Sequence, residues 1–330
     1  MDRYSVPPAG AEVIMTGATS FVGAAALKEL LRAGCRVRAV VRPGSKNLDK
    51  LKIRDKILTD CLTVTECDLS DLERLPGEIP AGDIFLHFGW EGSGSGARSD
   101  ILLQEVNLEY SIKAVQVAAA LGCRRFLFSG SQAEYGFHRE RITEETACAP
   151  ASAYGWSKRE VAVKARELCG QLGMDYGHLR IFSAYGPGDH PWSLAASAVR
   201  TFLTGGEMRL GACDQKWNFL YIEDLARAVA RLALCGEALN TSGESGHIYN
   251  LAGAPEDTRV LREFVEEIYE LCGRKGSRVY GVRPPNAEGV VSLDPDIEKV
   301  CRVTGWKPKV RFAEGIRRMI QAEDAILKKL

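Results

Sequence analysis

The apolar run Glu12-Val-Ile-Met-Thr16 passes directly into Gly17-Ala-Thr-Ser-Phe-Val-Gly23. A short apolar run that ends in glycine reads as a buried first strand. Gly17 then opens a tight turn, and from Phe21 the spacing of Val22, Ala26, Leu27, Leu30 and Leu31 is helical. Strand, glycine turn and helix in that order form the setting of a dinucleotide fingerprint. The glycines let the backbone approach a pyrophosphate, which then faces the positive end of the helix. Ser20 replaces the middle glycine of the fingerprint. It is small and has a hydroxyl to give to a phosphate, so the motif stands. The plainer reading is an ordinary strand-to-helix turn; the flanking strand and helix favour the fingerprint.

The second strand, Arg36-Val-Arg-Ala-Val-Val41, carries the cofactor question. An acidic residue at its end would bind the ribose 2′-hydroxyl of NAD. Val41 stands there, followed by Arg42-Pro-Gly-Ser-Lys46. Arg42 and Lys46 suit a 2′-phosphate, so NADP(H) is favoured and NAD is the alternative. The bland reading of both cations is a solvated loop.

Further strands are predicted at 62–66, 83–88, 125–129 and 176–182, with long helical patterns at 100–122 and 152–173. Alternation of strands and helices predicts a parallel, doubly wound α/β sheet of Rossmann type. Asp68 follows the third strand and is placed to accept from an adenine amino group. The Gly/Ser-rich loop 91–98 follows the fourth strand at the ligand-binding edge and is expected to be a lid, or else a plain surface loop. Asn107 is an unusual helix-interior residue, either a satisfied structural amide or the holder of a site water. After Phe182 the alternation breaks. Residues 1–182 and 217–252 are expected to form the dinucleotide-binding domain, and 183–216 with 253–330 a smaller C-terminal substrate lobe. Within that lobe, helices are expected at 194–203, 260–272 and 312–330, and a short strand near Met208.

Composition narrows the classes of function. Of 330 residues, 43 are Lys or Arg and 43 are Asp or Glu, so the formal net charge is zero. Such a balance gives no reason to expect nucleic acid or a charged membrane surface as partner. No apolar run approaches the roughly 18 residues that span a bilayer. The segment Met1-Asp-Arg-Tyr-Ser-Val-Pro-Pro8 is not an apolar signal region, so a cytoplasmic location is expected. The ten cysteines form no C-x-x-C pair and read as free thiols; the five histidines show no ligand spacing, so no metal site is expected.

The chemistry is carried by Tyr154-Gly-Trp-Ser-Lys158. Four residues apart on a helix, Tyr154 and Lys158 share a face. A nearby ammonium favours the phenolate, so the tyrosine pKa is expected to fall. Taken with the Gly17 turn and Ser129-Gly-Ser131, the pair reads as the proton part of an oxidoreductase site.

Together these marks resemble the extended short-chain dehydrogenase/reductase family, in particular its NAD(P)-dependent nucleotide-sugar epimerases, dehydratases and 4-ketoreductases. Besides the stretches above, the resemblance rests on His87-Phe-Gly-Trp90, Arg180-Ile-Phe-Ser-Ala-Tyr-Gly-Pro187, Asn218-Phe-Leu-Tyr-Ile-Glu-Asp224 and Gly305-Trp-Lys-Pro308, and it covers nearly the whole chain. It implies that Tyr154 is the general acid/base, that Lys158 lowers its pKa and holds the nicotinamide ribose, and that Ser131 bonds the sugar C4 oxygen. It implies a cofactor seat of Gly17, Thr19, Ser20, Phe21, Val22, Gly23, Arg42, Lys46, Asp68, Leu69, Phe88, Gly89, Trp90, Asn107, Tyr154, Lys158 and Ile181. The implied nucleotide-sugar seat is Trp90, Arg98, Ser131, Gln132, Ser183, Trp192, Trp217 and Arg283. A homodimer through the helices at 100–122 and 152–173 is implied as well, with Ala118-Ala-Ala120 and Val161-Ala-Val163 as its small apolar faces.

Two departures narrow the reaction. Nucleotide-sugar 4,6-dehydratases of this family carry Thr-Asp-Glu where this chain has Ser131-Gln132-Ala133, which lacks carboxylates for acid/base work. Trp217 stands where many epimerases carry a phosphate-binding arginine, which suggests stacking on the nucleotide. The stretch Gly130-Ser-Gln-Ala-Glu-Tyr-Gly136 looks like that of abequose- or fucose-type 4-ketoreductases. The expected activity is NADPH-dependent reduction of the C4 keto group of a nucleotide-linked 4-keto-6-deoxyhexose. A nucleotide-sugar 4-epimerase with bound NAD, and a non-catalytic NADPH-binding sensor, are the alternatives.

Overall fold

In the computed structural model, residues 10–328 are described apart from 54, 95, 238, 241, 242, 244 and 285–290. Ser95 of the expected lid, the 285–289 end of the Arg283 loop and the N-terminal segment therefore lie outside the described residues.

Seven parallel strands form the central sheet: β1 (Glu12–Thr16), β2 (Arg36–Val41), β3 (Leu62–Glu66), β4 (Ile84–His87), β5 (Arg125–Ser131), β6 (Asp175–Ile181) and β7 (Ile248–Leu251). Their order is β7-β6-β5-β4-β1-β2-β3. The order reverses between β1 and β4, which pair through Thr16 and His87 at their carboxyl ends. Ligands of doubly wound sheets bind in the crevice outside such a reversal. The central strands β1 and β4 are covered on both faces and read as near-continuous apolar runs, whereas the edge strand β3 is largely exposed. Val13 and Met15 pack into one core layer, Ile14 into the other.

The sequence reading counts six strands; β7 is the seventh. Its Ile-Tyr-Asn-Leu pattern is interrupted by Asn250, a buried amide that takes the Tyr135 hydroxyl at 2.6 Å. That satisfaction exists only across the sheet, so the short segment does not announce itself locally.

Helices α1 (Phe21–Arg32), α2 (Ile101–Ala120) and α3 (Ala153–Gln171) flank the sheet. Each starts at a residue whose side chain accepts from the first turn: Ser20 from Gly23 N, Asp100 from Leu103 N and Ser152 from Gly155 N. α2 and α3 pack on each other, as do α1 and α5 (Ile222–Ala233). Between them in sequence lies α4 (Leu194–Leu203), and α6 (Leu261–Leu271), α7 (Glu298–Thr304) and α8 (Phe312–Leu327) follow α5. α7 was not foreseen, and the strand near Met208 pairs with Ser277–Val279. An aromatic cluster of Tyr185, Phe219, Phe264 and Phe312 joins these parts, with ring centroids 4.7–5.6 Å apart.

The two motifs at Asn218–Asp224 and Gly305–Pro308 meet in a clamp. The buried Asp224 carboxylate accepts from Lys309 N at 2.9 Å and Val310 N at 2.8 Å, and also pairs with Arg227. Trp306 Nε1 donates to the Asp224 carbonyl at 3.0 Å.

Candidate active site

The glycine turn is set by steric need. Gly17 has φ +67°, and a Cβ there would lie 2.3 Å from the Phe88 carbonyl carbon. A Cβ on Gly23 would lie 2.1 Å from Gly17 O. The turn is thus pressed against the end of β4. Thr16 Oγ1 ties the two strand ends together, accepting from Gly89 N at 3.2 Å and facing His87 Nδ1 at 2.7 Å. Burial, with the Lys158 charge adding to it, pushes His87 down to about 3, so the ring is neutral. Cradle glycines and the open N-terminus of α1 together fit a dinucleotide pyrophosphate.

The next layer is Trp90. Its indole donates to Gln104 Oε1 at 2.9 Å, and Gln104 Nε2 holds the carbonyls of Gly92 and Ala97 at 3.1 and 2.9 Å. Asn107 accepts from Glu91 N and donates to Glu91 O and Leu103 O. Asn107 thus ties the start of the 91–98 loop to α2 through Glu91.

Tyr154 and Lys158 sit on the first two turns of α3, both buried. Lys158 Nζ donates to Ser129 O at 2.7 Å and lies over the rings of Trp90, Phe128 and Tyr154 at 3.7, 4.5 and 5.7 Å. Burial drives its pKa well below the usual lysine range; the Glu134 charge opposes this and Arg98 reinforces it. Arg98 reaches in from the loop, its guanidinium 4.6 Å from the Tyr154 ring centroid, while Trp90 meets the same ring edge-on at 5.9 Å. Ser131 ends β5 and caps the turn Gln132–Glu134; its Oγ accepts from Ala133 N at 3.2 Å, leaving the hydroxyl proton to give. Ser131, Tyr154, Lys158, Trp90 and Arg98 thus gather at the carboxyl end of the sheet.

Residues 13–252 match the NAD dependent epimerase/dehydratase family. The chain belongs to that family. It is 29% identical over 188 residues to dTDP-glucose 4,6-dehydratase 1 of Escherichia coli (strain K12), covering 54% of this chain and 49% of that protein. The chain thus spans about half the length of that relative. It is 26% identical to UDP-glucose 4-epimerase 2 of Oryza sativa subsp. japonica, over 95% of this chain and 82% of that one. Among solved structures, UDP-N-acetylglucosamine 4-epimerase from Methanobrevibacter ruminantium M1 superposes with a TM-score of 0.81 at 20% identity, covering 96% of this chain and 99% of the other. DesIV, a dTDP-glucose 4,6-dehydratase from Streptomyces venezuelae with NAD and TYD bound, gives 0.81 at 22%, covering 95% and 97%. At these identities the superpositions establish the fold.

Within this epimerase/dehydratase fold, the remaining predicted residues are spread around the crevice and lobe. Val41 is buried at the end of β2 and Arg42 and Lys46 are exposed beyond it. The Asp68 carboxylate caps the turn that begins at Leu69, accepting from Ser70 N at 3.1 Å. Gln132 has a buried Oε1 with no partner among the described residues, and so does the Trp217 indole N–H. Ser183 O accepts from Leu220 N just beyond Ile181. Trp192 is 63% exposed and stacks on His190 at 4.4 Å. Arg283 is exposed, its backbone held by Leu210 O. Among the described residues no helix is long and apolar enough to cross a membrane.

Sequence reasoning missed the buried group behind Ser131. Glu134, His178 and Arg180 have at most 2% exposure, and His178 and Arg180 both bond to Glu134. Two signals were available: Ser131-x-x-Glu134 is a capping box, and His178 and Arg180 stand two apart on one face of β6.

Proposed function

We propose that this chain reduces the C4 keto group of a nucleotide-linked 4-keto-6-deoxyhexose, with NADPH as the reductant. The observation that carries the reading is the convergence of Ser131, Tyr154 and Lys158 in one crevice, with Gln132 and Ala133 beside them where dehydration would need carboxylates. Arg42, rather than an acid, at the end of β2 supports the 2′-phosphate.

A nicotinamide dinucleotide bound on the glycine turn supplies the hydride. Tyr154 gives its phenolic proton to the C4 oxygen. Lys158, as an ammonium, stabilises the phenolate left behind. Ser131 donates its hydroxyl to the same oxygen, since its lone pair already accepts from Ala133 N. Trp90 and the 91–98 loop, held by Gln104 and Asn107, exclude water from the pair.

The test is NADPH oxidation at 340 nm with dTDP- and CDP-linked 4-keto-6-deoxyglucose. Turnover that Tyr154→Phe lowers by roughly 100-fold or more supports the reading. Purified protein that releases stoichiometric NAD and interconverts a 4-hydroxy sugar pair overturns it. That second reading, a 4-epimerase, is favoured by the near full-length similarity to UDP-glucose 4-epimerase 2.

A further inference from the structure

Glu134 has no solvent exposure, yet it is ionised. Burial alone would raise its pKa, but the adjoining His178 and Arg180 and the hydrogen bonds from His178 and Ser131 N hold it down at about 2. Its Oε1 accepts from Ser131 N at 2.7 Å and from His178 Nε2 at 2.9 Å; its Oε2 accepts from Arg180 Nε at 2.7 Å. His178 Nδ1 faces the Tyr176 hydroxyl at 2.8 Å, and burial lowers the histidine pKa, so the ring is neutral with its proton on Nε2. Arg180 also reaches Cys148 Sγ at 3.1 Å and lies over the Tyr135 ring at 4.3 Å. Gly130 makes room for the cluster, because a Cβ there would lie 2.3 Å from His178 Nε2 and 2.7 Å from Glu134 Oε1.

Among the described residues no carboxylate forms an ion pair with Lys158. Its neighbours are the Ser129 carbonyl and three aromatic faces. The titratable and charged groups around it are Tyr154 on its own helix, Arg98 from the loop, His87 on β4, His178 and Arg180 on β6, and Glu134 beneath Ser131. Both histidines are neutral and both arginines are positive, which leaves Glu134 as the anion of the set.

We propose that Glu134 is a positioning residue of this site: its carboxylate holds the Ser131 backbone at the end of β5 and supplies the negative charge that keeps Lys158 an ammonium. This rests on the Tyr154–Lys158 reading given above. One group therefore serves two members of the catalytic set. A neutral residue that only filled the space would serve neither.

The experiment follows the Lys158 Nζ shift by NMR in protein labelled with ¹⁵N-lysine, the signal being assigned by its loss in Lys158→Met. Glu134→Gln keeps an acceptor for Ser131 N–H and removes the charge. The Lys158 midpoint is expected to fall by about one pH unit or more. The double variant Glu134→Gln/Arg180→Gln leaves no unpaired cation, and it carries the test if the single variant does not fold. A fall in both variants supports the proposal, with the alkaline limb of the kcat profile moving down alongside. An unchanged midpoint overturns it. A fall in Glu134→Gln that the double variant reverses also overturns it, because Glu134 would then serve only to offset Arg180. The shift is read without substrate, so wild-type protein that turns over no keto sugar refutes the proposed reaction separately.

Discussion

Replacing Gly17 with alanine adds one methyl where β1 turns into α1. Two costs are readable. The residue holds φ +67°, and an L side chain in that region costs about 1–2 kcal/mol. The new Cβ would lie 2.3 Å from Phe88 C, 2.4 Å from Phe88 O and 2.5 Å from Gly89 N. All three are backbone atoms at the end of β4 and cannot swing aside; such overpacking costs typically about 1–3 kcal/mol more. The sum is about 2–5 kcal/mol, or a Tm loss of roughly 3–7 °C. Displacing Gly89 also strains its bond to Thr16 Oγ1 and moves the expected pyrophosphate seat, so NADPH affinity should fall by about tenfold or more. Gly34→Ala is the control: φ is +86° and nothing lies within 4 Å of its Cβ, so it carries the backbone cost alone. Thermal melts by circular dichroism and NADPH titration by fluorescence read both variants. Gly17→Ala that melts with Gly34→Ala, and binds NADPH like wild type, would refute the steric argument and the seat together.

Arg42→Ser should raise the KM for NADPH by about tenfold or more while leaving NADH use nearly unchanged; equal effects on both would remove the 2′-phosphate assignment. His87 and His247 are both buried and held at about 3, mainly by burial. Their folded pKa values lie below the unfolded one, so this stability is present above about pH 6.5 and is lost as pH falls towards 3. His247 has neither ring nitrogen partnered among the described residues, so His247→Leu should make the pH dependence of the urea midpoint shallower by about one proton; an unchanged slope would refute this. Ile101, Leu102 and Val163 are 54–75% exposed on α2 and α3, an apolar face expected to pair two copies. Leu102→Glu/Val163→Glu should then sediment as a monomer where wild type sediments as a dimer; a monomeric wild type would contradict it. Ala118 and Val161, expected at that interface, are instead buried against the protein's own core.

The strands β1 to β6 and the helices beside them were legible because each is signalled locally, by an apolar run, a cap or a glycine stop. β7 and α7 were not: the first carries a polar residue satisfied only across the sheet, and the second is a short helix between loops. Tyr154 and Lys158 were legible from helical spacing, and Ser131 from its place after a strand. Asn107 could not be decided from sequence, since both of its readings need only a buried amide. Its bonds to Glu91, 16 residues away, exist only in the folded chain.

The sequence by itself determined the layered α/β fold, the glycine turn and the shared helix face of Tyr154 and Lys158. Those features depend on the covalent neighbourhood of each residue, on period, chirality and caps. Only the tertiary structure decided which charges face one another. Glu134, His178 and Arg180 are 44 and 46 residues apart in the chain as their bonds run, and Lys158 approaches them from a different element. A buried charge acts through its distance to other charges, and that distance exists only once β5, β6 and α3 have packed.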